Sequence, residues 1–360
     1  MPDDDDKFAP ALNPDLVGHE AAEARLAGAF GSGKLAHAWL ITGPRGVGKA
    51  TLAYRFARFV LAGGGAADMF GGVGEPLHLD ANDPVFRRVA ARGHSDLFVV
   101  ERTEDPKTKR LRSRIVVDDA RRLGGFLRLT PAEGGWRVAI IDAVDEMNRN
   151  AVNAVLKLVE EPPDRAVILL VCHAPGRLPA TLRSRCRRLA LSALDPEQVA
   201  AVLARLRPDL DQETAAALAR LAEGSPGRAM ALAEHGGLEL YRDMIGLLAG
   251  LPELDVRALH ALSDKLARRG AEAVHASFMD LLLRWIARVV LAGARGATPD
   301  EIVPGEGAAA RHLIGAGGLD RRAALWENIS RLAARAEAVN LDRKQVVLSA
   351  FTAIEGLARG

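Results

Sequence analysis

Cysteine and aromatic residues are nearly missing from this sequence: two Cys among 360 residues, and 4% Phe, Trp and Tyr together. So few thiols exclude a disulfide scaffold. Cys172 and Cys186 fit no zinc-knuckle or CxxC spacing, and they point to a reducing, cytoplasmic setting. The low aromatic content argues against a protein whose main task is stacking bases on rings. No apolar run reaches the roughly 18 residues that cross a bilayer, since the longest candidate, Leu281 to Ala292, carries Arg284 and Arg288. Charge of one sign is lacking too. Lys+Arg 48 against Asp+Glu 46 leave a formal +2, so any nucleic-acid contact must come from a local patch. The start is acidic where a secretory signal would be basic and then apolar, which predicts no export. Asp3 to Lys7 is set aside from fold reasoning.

What is present is ordinary globular material, 49% hydrophobic and 26% charged, enough for two or three domains at roughly 100–200 residues each. Up to about Ser192, short apolar runs alternate with amphipathic stretches. Strands are predicted at 37–42, 96–100, 136–141 and 166–171, and helices at 49–62, 116–129 and 148–160, the last stopped by Pro162-Pro163. The run Ala166 to Val171 is apolar throughout, as in a strand buried on both faces. The alternation predicts a parallel, doubly wound α/β sheet. After Asp195-Pro196 the pattern turns helical, with short helices at 198–206, 212–222 and 226–234. Further helices follow from Leu238 to the end, broken by a loop at 293–307. The predicted domains are 1–192, 193–236 and 237–360, with the glycine-rich stretches at 63–65 and 71–72 as a loop inserted in the first.

The strongest motif is Gly43-Pro44-Arg45-Gly46-Val47-Gly48-Lys49, between a predicted strand and helix. It matches seven positions of the phosphate-binding loop GxxxxGK[ST], in which main-chain N–H groups and the helix dipole cradle phosphates and the lysine supplies charge. The eighth position is Ala50, where a Mg²⁺-binding hydroxyl belongs. Thr51 is one residue further, about 100° around the helix, and does not substitute. Val138 to Asp142 reads as an apolar strand ending in a Walker B-like acid, but Ala143 stands where an ATPase places its water-activating carboxylate. Asp145 and Glu146 read as acids favoured by a helix start. Both absences point to a nucleotide-binding fold that does not hydrolyse.

From Arg165 to Leu194 there are six arginines and no acids, around Ser184-Arg185-Cys186. Spacing alone leaves two readings open for this stretch: a guanidinium fork for a phosphate, such as a finger acting in trans, or a solvated basic turn. Arg228, after Gly224-Ser-Pro-Gly, either aims at a phosphate from a helix start or sits in a turn. His78, Asp80 and His94 form a weak metal candidate with irregular spacing. The basic cluster Lys107, Lys109, Arg110, Arg112 and Arg114 stands beside acids and reads as a solvated hairpin.

Taken together, Leu35-Ala-His-Ala-Trp-Leu-Ile-Thr-Gly-Pro-Arg-Gly-Val-Gly-Lys49, Met147-Asn-Arg-Asn-Ala-Val-Asn-Ala-Val-Leu-Lys157, Glu160-Glu-Pro-Pro163 and Ser184-Arg-Cys186 resemble the bacterial clamp-loader subunits of DNA polymerase III. The likeness runs through Arg228. Beyond that it rests on length, helical character and the ending 340–345. It implies an AAA+ P-loop α/β module, a small helical lid and an all-α collar that joins a five-subunit ring. In that family the motor subunits hydrolyse ATP. A companion subunit does not, and lends its Ser-Arg-Cys arginine to the adjacent motor site. Carried over, Arg185 is that finger, Arg228 the lid's sensor-like arginine, and Gly43 to Lys49 a vestigial loop with weak ATP or ADP binding at most. Many members carry four zinc cysteines after the first helix. The stretch 61–92 has none, so no zinc is expected. The implied partners are gamma/tau motor subunits and a delta subunit, with the sliding clamp and primer–template DNA reached through the complex. DNA contact by the isolated chain is expected to be weak and salt-sensitive. The other reading is an autonomous ATPase, a motor subunit or a related remodelling protein.

Overall fold

The computed structural model describes residues 9–64, 76–104, 112–339 and 341–360. The glycines at 71–72 and Lys107, Lys109 and Arg110 of the basic cluster lie outside the described residues. The element order is α1 (Glu20–Gly31), β1 (Ala38–Thr42), α2 (Lys49–Leu61), α3 (Pro84–Ala90), β2 (Leu97–Glu101), α4 (Val117–Leu127), β3 (Arg137–Asp142), α5 (Arg149–Glu160), β4 (Ala166–Cys172), α6 (Ala180–Arg185) and β5 (Arg187–Ala190). All five strands are parallel, in the order β2-β3-β4-β1-β5. The sheet and helices expected from the sequence are present. The structure adds α1, α3, α6 and the edge strand β5, whose exposed arginines carry no apolar run to announce it.

Two cores lie on opposite faces of the sheet, and strand alternation sorts the side chains between them. Ile168 and Leu170 of β4 face one core with Leu40, Ala139 and Ile141, whereas Val167, Leu169 and Val171 face the other with Trp39 and Ile41. The first is covered by α4 and α5. Helix α5 buries Ala151, Val152, Val155, Leu158 and Val159, a stripe at helical spacing, and Asn148 caps it by accepting from Ala151 N at 2.9 Å. The second is covered by α1 and α2, joined by the buried Glu23–Arg55 pair at 2.5 Å. Arg58, also buried, donates to Ala11 O and Asn13 O at 3.0 and 2.7 Å and lies 4.3 Å over the Phe86 ring. It thereby ties the N-terminal segment to α2.

The chain divides into two compact units, 1–198 with 225–227, and 199–224 with 228–360. The second is all helical: α7 (Pro196–Leu206) runs into it from the first unit, then come α8 (Gln212–Leu221), α9 (Pro226–Glu234), α10 (Gly237–Leu248), α11 (Val256–Ala267), α12 (Glu272–Ala294), α13 (Glu306–Gly315), α14 (Leu319–Val339) and α15 (Arg343–Arg359). Its interior holds one buried charge cluster, in which Glu306 accepts from Tyr241 Oη at 2.7 Å and from Ile302 N at 2.8 Å and pairs with Arg288. Among the described residues no helix is long and apolar enough to cross a membrane.

Leu169 is fully buried in the central strand β4. Leu169→Ala is expected to cost about 2–5 kcal/mol in urea unfolding, whereas Leu129→Ala, at an exposed leucine, should stay within about 0.5 kcal/mol of wild type. Equal costs would contradict this two-sided sheet.

Candidate functional site

The site is built at the carboxyl ends of β1, β3 and β4, where open parallel sheets place ligands. Register aligns Thr42 with Cys172 and Ala190, and Asp142 with Val171 and Glu101. The loop Gly43 to Lys49 follows β1 directly and leads into α2. Two of its glycines are obligatory. A Cβ at Gly43 would stand 2.5 Å from Leu191 O, and one at Gly48, whose φ is +110°, would stand 2.7 Å from Leu16 Cδ1. Gly48 also caps α2 without any side-chain hydrogen bond, so its first N–H groups take no side-chain acceptor at the cap.

The loop is pinned from several directions. The His19 imidazole donates through Nε2 to Val47 O at 2.9 Å. Ser225 Oγ donates to Arg45 O and Gly227 N to Gly46 O, each at 2.9 Å. A Cβ at Gly227 would lie 3.0 Å from Gly46 Cα, so any larger residue would press on the loop backbone. Sequence reasoning saw the Gly-Ser-Pro-Gly turn but not its seat on the phosphate loop, which no local pattern encodes. Lys49 is buried and folds back, donating from Nζ to Gly43 O at 2.9 Å and Pro44 O at 2.5 Å. Burial pushes its ammonium down to about 8, against the pull of Asp142 and Asp145.

The acids after β3 have separate tasks. Burial, reinforced by Glu101, pushes the Asp142 carboxyl up to about 6, with Lys49 opposing. Ala143 and Val144 are buried and carry no polar group. Asp145 accepts from His173 N at 2.8 Å and Ala174 N at 3.0 Å, fastening the turn after β3 to the turn after β4. Burial works against its ionisation, but these donors hold the carboxyl below its usual range. Glu146 pairs with Arg45 and, at 2.9 Å, with Arg102. Asp145 and Glu146 do stand in the first turn of a short 3-10 helix, Val144–Glu146, and each is in addition a cross-link that the sequence did not show. An open cleft of about 370 Å³ is lined by Arg45, Glu101, Arg102, Asp142, Glu146 and His173. Burial, then Lys49 and Arg45, push the His173 imidazole down to about 4, which keeps it neutral. The donor set does not suit Mg²⁺: position 50 has no hydroxyl, Asp142 is reluctant to ionise, and Glu146 is held by two arginines.

The six-arginine stretch separates in space. Arg165 donates to Gly134 O at 3.0 Å, Arg187 lies 5.0 Å over the Trp39 ring, and Arg188 reaches Thr42 Oγ1 at 3.5 Å. Arg185 ends α6 with its guanidinium half-exposed, donating to Thr181 O at 3.1 Å and pairing with Glu160 at 3.0 Å. The neighbouring Cys186 is buried, and burial pushes its thiol up to about 11, so it is an inert part of the core. In the second unit Arg228 pairs with Asp280 at 2.8 Å and Glu223 at 3.7 Å. Burial pushes its guanidinium down to about 10 despite Asp280. Among the described residues His78, Asp80 and His94 do not come together as a metal-binding group.

Residues 18–195 match the family described as DNA polymerase III, delta subunit. The DNA polymerase III subunit delta' of Pseudomonas aeruginosa is 37% identical over 206 residues, covering 57% of this chain and 58% of that one. The tau subunit of Escherichia coli is 30% identical over 314 residues, covering 80% of this chain and 45% of that one. The matches thus span about half the length of these curated relatives. Among solved structures, a gamma subunit-related protein of Thermotoga maritima is similar at 18% identity and a TM-score of 0.41, covering 94% of this chain and 99% of that one. The RuvB branch-migration motor of the same organism is similar at 18% identity and a TM-score of 0.39, covering 80% and 86%. With its P-loop at the head of a parallel sheet, its Ser-Arg-Cys turn and its family match, the segment 18–195 belongs to the clamp-loader subunit family of DNA polymerase III.

Proposed function

We propose that this chain is the delta-prime-type subunit of a clamp loader: it hydrolyses no ATP and lends Arg185 to the nucleotide site of an adjacent motor subunit. One observation carries the reading. The groups that would work on a γ-phosphate in its own cleft are missing or committed, while Arg185 keeps a half-exposed guanidinium on the surface. Ala50 and Ala143 remove the metal-binding hydroxyl and the base. Asp145 and Glu146 cannot replace the base without breaking the contacts that hold the turns after β3 and β4. A guanidinium supplied in trans stabilises charge on a transferring phosphoryl group, and its loss costs such sites orders of magnitude in rate.

In this reading the partners are gamma/tau-type motor subunits and a delta subunit, as the names of the relatives imply. The complex then places the sliding clamp on primed DNA, and Arg228 serves as the sensor-like arginine of the lid. Purified chain given ATP and Mg²⁺ should release no phosphate above background. In the assembled complex, Arg185→Ala should lower ATP turnover at least tenfold at the adjacent site, and Lys49→Ala should leave turnover within about twofold. The reverse order, or phosphate release by the chain alone that Lys49→Ala abolishes, would instead support an autonomous ATPase.

Residual ATP or ADP affinity in the vestigial loop depends on the charge of Lys49. Because its pKa lies at about 8, nucleotide binding measured by calorimetry should weaken as pH rises from about 7 to about 9. The charged form, present below the folded pKa, is the one that attracts phosphate. Lys49→Ala should remove this dependence.

A further inference from the structure

Glu160 closes α5 and Arg185 closes α6, so the two come from separate motifs, yet Glu160 Oε1 stands 3.0 Å from Arg185 Nη2. The other arm of the fork, Nη1, donates to Thr181 O at 3.1 Å, one turn earlier in α6. The side chains remain 42% and 38% exposed. A pair this open adds little to stability. Its effect is geometric. An arginine at the surface samples many rotamers, whereas here one arm rests on a main-chain carbonyl and the other on a carboxylate from a second helix. The half-exposed guanidinium has further N–H donors beyond these two contacts, which phosphate oxygens can use. Glu160 is itself held in place. It is the last residue of α5, Glu161 leaves the helix with φ −124° and ψ 72°, and Pro162-Pro163 forbid any continuation.

We propose that Glu160 is the positioning residue of Arg185: it orients the guanidinium for an anionic phosphate presented by a neighbouring subunit and does not itself touch that phosphate. The proposal rests on the reading of Arg185 as a trans-acting arginine, and the experiment separates the two.

Steady-state ATP hydrolysis with Mg²⁺ is measured over a range of ATP concentrations in the assembled complex, with wild type, Glu160→Ala, Glu160→Gln, Arg185→Ala and the double variant Glu160→Ala/Arg185→Ala. Glu160→Ala should lower kcat about three- to tenfold, the scale of a misoriented but present group, and leave KM for ATP nearly unchanged, because the motor subunit's own loop binds the nucleotide. Glu160→Gln keeps an acceptor oxygen and should stay within about twofold of wild type. The double variant should be no slower than Arg185→Ala alone, the non-additivity expected of residues acting as a unit. If Glu160→Ala destabilises the end of α5 in thermal melts, Glu160→Asp supplies the test: it retracts the carboxylate by one methylene and should give the same fall. If Arg185→Ala slows the complex while Glu160→Ala does not, or if Glu160→Ala slows the Arg185→Ala background as much as the wild type, the positioning role is overturned and the trans-acting arginine stands. If Arg185→Ala has no effect, both fall together.

Discussion

The hydrogen-bonded insertion of β1 between β4 and β5 is the constraint on which the rest of the site depends. Because β1 is flanked by parallel partners on both sides, its end cannot shift along the strand direction without breaking two ladders at once. The turn at Gly43 therefore starts at a fixed height, against Leu191 O, and only glycine fits there. Asp142 and His173 are brought beside it by the same registers, through β3 and β4. A one-residue slip of β1 would exchange the two faces of that strand and move Trp39 and Ile41 out of their core.

Beside this fixed edge stands a loop with the phosphate-binding pattern, and the charged groups around it are engaged in contacts within the chain. Lys49 bonds the carbonyls of its own loop, Glu146 spans two arginines, and Asp145 takes two main-chain donors across to the turn after β4. Each of these groups is committed to a structural contact. Away from that loop, Arg185 closes α6 with its guanidinium half in solvent and paired to Glu160.

The second unit is arranged differently. Its helices carry ion pairs among themselves, with Arg228, Arg284, Glu223 and Asp280 forming one connected group in which Arg284 meets Glu223 at 2.5 Å and Asp280 at 3.0 Å. Such a network, partly shielded from water, fixes relative helix orientation more than it adds stability. The buried Glu306, with Tyr241 and Arg288 around it, does the same deeper in the helices.

By itself the sequence determined the parallel sheet, the phosphate loop, the missing hydroxyl and base, and the candidate arginine. Each of these is encoded within a few adjacent residues, either as a strand-length apolar run or as a motif of fixed spacing. Strand β5 was not legible, because Arg187-Arg188 hide an edge strand that is polar on its exposed positions. Only the tertiary structure decided which side chains meet across the chain: Asp145 with the turn after β4, Glu146 with Arg45, Gly227 on Gly46, and Glu160 with Arg185. The physical reason is that a carboxylate reads alike in sequence whether it faces water or a distant guanidinium. Its partner is chosen by how strands register and helices pack, and those are properties of the whole chain.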